Sequence, residues 1–313
     1  MSNDSTIPQD IVNAIEKFEE ESTHIINKLD KLIYSKDLPP VIYHYTNDMG
    51  FRGILETGKL WLTDIFALND PSELEYGLDN LRKEIKNKID DKHPERNIID
   101  WWFSKIKEKK EQLAFFCACS FSSSIDDLGQ WRAYADSGRG FAIGFNTQIL
   151  KDAFSTDNNT MICKTFPVTY NDECLTKMNK DLVEKFFYTP FERKEFLEEK
   201  LLKDSLFHLA WRSLYIALHF KHSAYRNEQE YRFLQMQSAD PPPVYEKRCR
   251  NYSLINYREF DWRNSAPNAI KEIIIGPSAD NKKKAYQFAK DCLQLAGIDS
   301  IEPTCSNIPY RAL

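Results

Sequence analysis

The chain has 313 residues, 42% of them apolar and 28% charged, an ordinary globular balance that suffices for one large domain or two modest ones. A formal net charge of −5 excludes a protein that grips nucleic-acid phosphate over its whole surface, while leaving room for a local basic groove. No apolar run approaches the roughly 20 residues of a membrane span, and Met1-Ser2-Asn3-Asp4-Ser5 lacks the basic and apolar parts of a secretory signal, so a cytoplasmic protein without membrane contact is expected.

Seven cysteines, mostly inside apolar segments, fit reduced thiols better than a disulfide framework. Cys117 and Cys119 have no second pair at metal-ligand spacing, so no metal site is expected.

Residues 8 to 34 read as a helix, because Ile11, Ile15, Phe18, Ile25, Leu29 and Leu32 recur three, four or seven apart. Residues 1–38 are expected to form an N-terminal helical arm that packs on its own domain, pairs with a partner or self-associates. Pro39-Pro40 then breaks the chain, and residues 39–313 are expected to form a single α+β domain.

Val41 to Thr46 is a β-branched and aromatic run that reads as a strand. Alternation puts Val41, Tyr43 and Tyr45 on one side and Ile42, His44 and Thr46 on the other. The second set ends in an imidazole and a hydroxyl, which suits a cleft wall, although a core imidazole bonded to backbone is the simpler account of His44. A helix from Asp48, a stop at Gly58 and a strand at Leu60 complete a βαβ-like start. Asp70 before Pro71 signals a helix cap, which suffices to account for Asn69 and Asp70, with ligand binding as the alternative.

Leu113 to Ser120 reads as a central strand buried on both faces. A short helix after Asp126-Asp127 carries Gln130, Trp131, Arg132 and Tyr134. Phe141 to Phe145 and Met161 to Tyr170 read as strands, and residues 173 to 223 as mostly helical, with His219 and His222 on one helix. Asn227 to Phe233 reads as a strand whose one face holds Glu228, Glu230 and Arg232, implying either solvent or a polar site. A strand at Glu272 to Ile275 and a helix from Asn281 to Leu295 close the chain.

The ordered blocks YHYT, NDP, CSFS, QWxxYA, ExEYR, IIIGP and SxIPYR resemble a bacterial domain-of-unknown-function family (family twenty-nine seventy-one) over about residues 41 to 311. A first strand with His44-Tyr45-Thr46, a central strand closing in Ser and a late Glu-x-Glu strand are also similar to the ADP-ribosyltransferase fold. That resemblance implies a mixed, mainly antiparallel split sheet with surrounding helices. It implies NAD as co-substrate, a macromolecular acceptor, and a toxin or phage-defence setting. His44 and Thr46 would contact the nicotinamide ribose, Glu230 would be the catalytic glutamate and Glu228 its preceding acid. Either Ser120 with Ser122, or Tyr134, would complete the site, and Arg132, Arg139 or Arg232 would hold the pyrophosphate. The alternatives are a non-enzymatic interaction module, or a nucleic-acid-acting phosphotransferase relative with a basic groove beside His44.

Overall fold

The computed structural model describes residues 9–34, 37–68, 72–89, 97, 99–101, 103–104, 115–156, 161–188, 199–237, 244–250 and 252–312. The proposed cap at Asn69-Asp70-Pro71 and most of the proline-rich stretch from 238 lie outside them. In chain order come α1 (Gln9–Tyr34), β1 (Val41–Thr46), α2 (Asp48–Thr57), β2 (Lys59–Asp64), α3 (Ser72–Lys88), β3 (Phe115–Ser122), α4 (Leu128–Tyr134) and β4 (Phe141–Asn146). Next are α5 (Thr147–Ser155), β5 (Ile162–Pro167), α6 (Asp172–Tyr188), α7 (Glu199–Ala217) and β6 (Glu230–Gln237). The last are β7 (Glu246–Arg250), β8 (Ser253–Asp261), α8 (Trp262–Ser265), β9 (Ile270–Ile275), α9 (Lys282–Leu295) and β10 (Thr304–Cys305). Among the described residues no helix is long and apolar enough to cross a membrane.

The chain forms two compact units: residues 1–36, 70–113 and 169–223 in one, and the remainder in the other. The first unit is helical. Phe18, Ser22, Ile25, Leu29 and Ile33 of α1 are buried, spaced three and four apart as a helix stripe requires. Leu32, expected on that stripe, is 42% exposed and Ile33 takes its place. Gly77 of α3 lets α7 approach closely, since a Cβ there would lie 2.2 Å from Ala217 Cβ. Asn179 of α6 donates to Asn80 Oδ1 of α3 at 2.8 Å and accepts from Ser213 Oγ of α7 at 2.8 Å, satisfying polar groups that burial would otherwise penalise. The helix ends at Ala217, so His219 and His222 do not share a helical face. His219 is buried with Nδ1 2.9 Å from Tyr215 O, whereas His222 is exposed.

The second unit is a mixed, mostly antiparallel sheet covered by helices. Among the described residues every strand pairing in it is antiparallel except β9 with β10. Strand β3 is its branch point. One edge of β3 pairs with β6 along its whole length. The other edge is divided: Ser122 opposes Tyr43 of β1 at one end, and Ala118 and Cys117 oppose Thr63 and Asp64 of β2 at the other. Residues 119 to 121 have no strand partner on that edge among the described residues, so β1 and β2 diverge around a split.

Directly opposed residues share a sheet face. Phe121, Tyr231 and Phe233 therefore lie on one face, in a core with Phe51, Phe145 and Phe154 beneath α2 and α5. Tyr43, Tyr45 and Trp131 pack on the opposite face. That second face is only partly covered, because Ser120, in the middle of the central strand, is exposed.

Candidate functional site

Strand β1 begins after the Pro pair and ends where Asn47 caps α2, its side chain accepting from Gly50 N at 2.8 Å. Thr46 Oγ1 fills the space that a Cβ on Gly50 would occupy, 2.0 Å away. Its side chain is thus committed to the β1–α2 junction, on the His44 side of the strand.

His44 is half-buried, with its ring edge-on to Phe121 at 5.6 Å. Its Nδ1 lies 3.2 Å from the main-chain oxygen of Ser120 and 3.9 Å from Cys119 Sγ. Because a carbonyl only accepts, Nδ1 carries the proton and Nε2 of the neutral ring is an acceptor. Burial pushes its pKa below the ordinary 6.5, outweighing the Ser120 bond, and the positive charge of Arg248 pushes the same way. The ring thus caps a carbonyl of β3 inside the split, where no strand among the described residues pairs with it on that edge. The register makes Tyr43, not His44, share the face of Ser122 and Glu230.

Glu230 and Arg232 open β6 and oppose Ser122 and Ser120. Ser120 Oγ donates to Glu230 Oε1 at 2.7 Å, and Arg232 Nε donates to the same oxygen at 2.8 Å. The charged pair has side chains only 4% and 1% exposed. β6 lies between β3 and β5, so a solvated edge-strand pair is ruled out. Burial also removes Arg232 from the guanidiniums open to a ligand; Arg132 and Arg139 are exposed, the latter 3.7 Å from Asp136.

The expected alignment of Glu228 with Glu230 on one strand face is corrected. Ser223–Glu228 is a 3-10 turn, and Gln229 adopts φ +45°, so the strand starts only at Glu230. That left-handed residue re-aims Glu228, whose carboxylate accepts from Tyr134 Oη at 2.8 Å. Ser122 Oγ donates to Glu228 O at 2.8 Å and Ser123 N to Gln229 O at 2.9 Å, pinning the turn to β3. Tyr134 is set by α4, whose N-cap Asp127 accepts from Gln130 N at 2.9 Å, and Asp126 accepts from Trp131 Nε1 at 2.7 Å.

Two clusters result, Ser120–Glu230–Arg232 and Tyr134–Glu228, joined by the turn at Gln229. His44 meets the first through the Ser120 main chain. Sequence reasoning missed Thr63, Trp61 and Arg248, which line the same face beyond Ser120. The trace they leave is the alternation Glu246-Lys247-Arg248-Cys249-Arg250, in which every second residue is charged.

No curated protein and no solved structure matches the chain. Residues 130–233 match the model of a family described as "Protein of unknown function (DUF2971)". The match includes Tyr134, Glu228, Glu230 and Arg232 and leaves His44, Thr46 and Ser120 outside it. Over this stretch the chain is similar to the DUF2971 family, the one that the ordered blocks of the sequence resemble.

Proposed function

We propose that the open sheet face at Ser120 binds NAD as a substrate and that the protein is an ADP-ribosyltransferase-like enzyme with a macromolecular acceptor. The carrying observation is the carboxylate of Glu230, fixed on one oxygen by Ser120 at 2.7 Å and Arg232 at 2.8 Å beside a split in the sheet. A mixed, mainly antiparallel sheet that splits between its first two strands, with a glutamate on a late strand, supports this reading.

The chemistry follows from this arrangement. Cleavage of the nicotinamide–ribose bond returns its electron pair to the ring nitrogen and leaves positive charge on the ribose, which the acceptor's nucleophile then quenches. A carboxylate held in place by Arg232 and Ser120 stabilises that charge as it develops, without reorganising. His44, on the opposite face, supports this site only through the main-chain oxygen of Ser120, 3.2 Å from its Nδ1. Tyr134, fixed by Glu228 at 2.8 Å, supplies an aromatic face for the nicotinamide.

The test is nicotinamide release from NAD by wild type and by Glu230→Gln, with and without cell lysate as an acceptor source. A second reading rests on the burial of the same pair, at 4% and 1% exposure: Glu230 and Arg232 would then be a strut beneath a non-enzymatic binding surface. It predicts no nicotinamide release from the wild type, and a Glu230→Gln variant that loses stability.

A further inference from the structure

Beyond Ser120 the same sheet face carries a second group of polar side chains. Arg248 of β7 lies over Trp61 of β2, its guanidinium carbon 5.2 Å from the ring centre, and its Nη2 donates to Thr63 Oγ1 at 2.8 Å. The registers make this one face. Glu246 and Thr63 both oppose Tyr257, Arg248 follows Glu246 by two residues, and Thr63 opposes Ala118, two residues before Ser120. Strand spacing and rise then put Thr63 about 8 Å from Ser120.

The environment of Arg248 lacks an anion. Among the described residues no carboxylate lies within ion-pair distance of Arg248 or Arg250. Arg248 Nε is buried without an acceptor, and Arg250 Nη2 donates to the main-chain oxygen of Ala67. Burial, and the like charge of Arg250 after it, push the Arg248 pKa down. A half-buried cation with an idle donor and a cationic neighbour is unfavourable as it stands. An anion with several oxygens would satisfy it, and a phosphate matches a guanidinium in bidentate fashion. Trp61 holds the guanidinium in place and is itself 42% exposed, and Arg248 is only half-buried although its Nε is covered.

We propose that Arg248, backed by Arg250, is the diphosphate-binding residue of the open face, taking the phosphate oxygens of a nucleotide whose ribose lies at Ser120. The identity of that nucleotide rests on the NAD reading; the anion site does not. A dinucleotide places its ribose carbon and its diphosphate a few bonds apart, which suits the separation between Ser120 and Thr63.

Calorimetric titration of the full chain with ADP and with ADP-ribose tests it, using wild type, Arg248→Met, Arg248→Lys and, as a surface control, Arg52→Met. Met keeps an apolar stem on Trp61 and removes only the charge and donors, and circular dichroism checks the fold. Wild type is expected to bind both ligands, Arg248→Met to bind at least about tenfold more weakly, Arg248→Lys to recover part of the loss, and Arg52→Met to match wild type. Equal binding by wild type and Arg248→Met overturns the proposal, as does a wild type that binds neither ligand. Arg248-dependent binding of a single-stranded oligonucleotide without ADP binding overturns it in favour of a nucleic-acid surface. Arg248-dependent ADP binding in a protein that never cleaves NAD upholds the anion site and removes the transferase reading alone.

Discussion

Ser120 donates its hydroxyl to Glu230 at 2.7 Å from a position that is itself exposed, while Glu230 is buried. A buried carboxylate is thereby coupled to solvent through one side chain. The main-chain oxygen of the same residue contacts His44 Nδ1 at 3.2 Å. His44 and Glu230 lie toward opposite faces of the sheet, and Ser120 is what they share.

Replacing Ser120 by Ala removes one hydrogen bond to a charged group and leaves the strand intact. The expected cost is about 1.5–3 kcal/mol, less whatever water restores at this exposed site. In the transferase reading NAD cleavage falls by about tenfold or more, since about 1.4 kcal/mol is a factor of ten. Denaturant titration and single-turnover assays on the same variant separate the two effects.

Arg232 and Glu230 should behave as a coupled buried pair. Arg232→Met alone leaves an uncompensated carboxylate and is expected to destabilise the fold by about 3–5 kcal/mol. Adding Glu230→Gln should recover part of that loss, because the orphaned charge disappears. A double-mutant cycle in urea measures the coupling; additive losses would mean that the 2.8 Å contact carries no energy.

The pH dependence of stability should carry a His44 component of defined sign. Its folded-state pKa lies below 6.5, so the unfolded chain binds the proton more readily. Stability from this group is complete above about pH 6.5 and falls as pH drops below that value, until the folded ring also protonates. His44→Gln should remove this segment of slope from urea midpoints measured between about pH 8 and pH 5. An unchanged slope would mean that the ring titrates normally.

Three glycines make a matched test of the packing around β1. A Cβ on Gly140 would meet Thr46 O at 2.1 Å and one on Gly50 would meet Thr46 Oγ1 at 2.0 Å, whereas Gly53 has nothing within 4 Å. Gly140→Ala is expected to cost at least about 1–3 kcal/mol because the obstructing atom is backbone. Gly53→Ala should stabilise by up to about 1 kcal/mol through helix propensity. Thermal melts of the two variants should therefore shift in opposite directions.

The strands around the site were legible where local chemistry bounds them. β1 runs from Val41 to Thr46 as the alternation requires, because prolines precede it and the Asn47 cap follows it. The buried polar pair at Glu230 and Arg232 was visible as charge alternating with Tyr231 and Phe233. Its burial was not, because that depends on β3 and β5 flanking β6, a long-range pairing with no local trace. Glu228 was misplaced because Gln229 adopts φ +45°, which few non-glycine residues do. Local alternation set the side of β1 that His44 occupies. The single pairing of Tyr43 with Ser122 sets which side of β3 that is. Arg248 escaped notice because its neighbours, Trp61 and Thr63, lie nearly two hundred positions earlier in the chain.

The most direct measurement is nicotinamide release from NAD by the purified protein, wild type against Glu230→Gln, with circular dichroism on both and with lysate as an acceptor source. Release by the wild type, lost in a folded Glu230→Gln, is the predicted result. No release by the wild type under either condition, or equal release by the two proteins, would contradict the transferase reading.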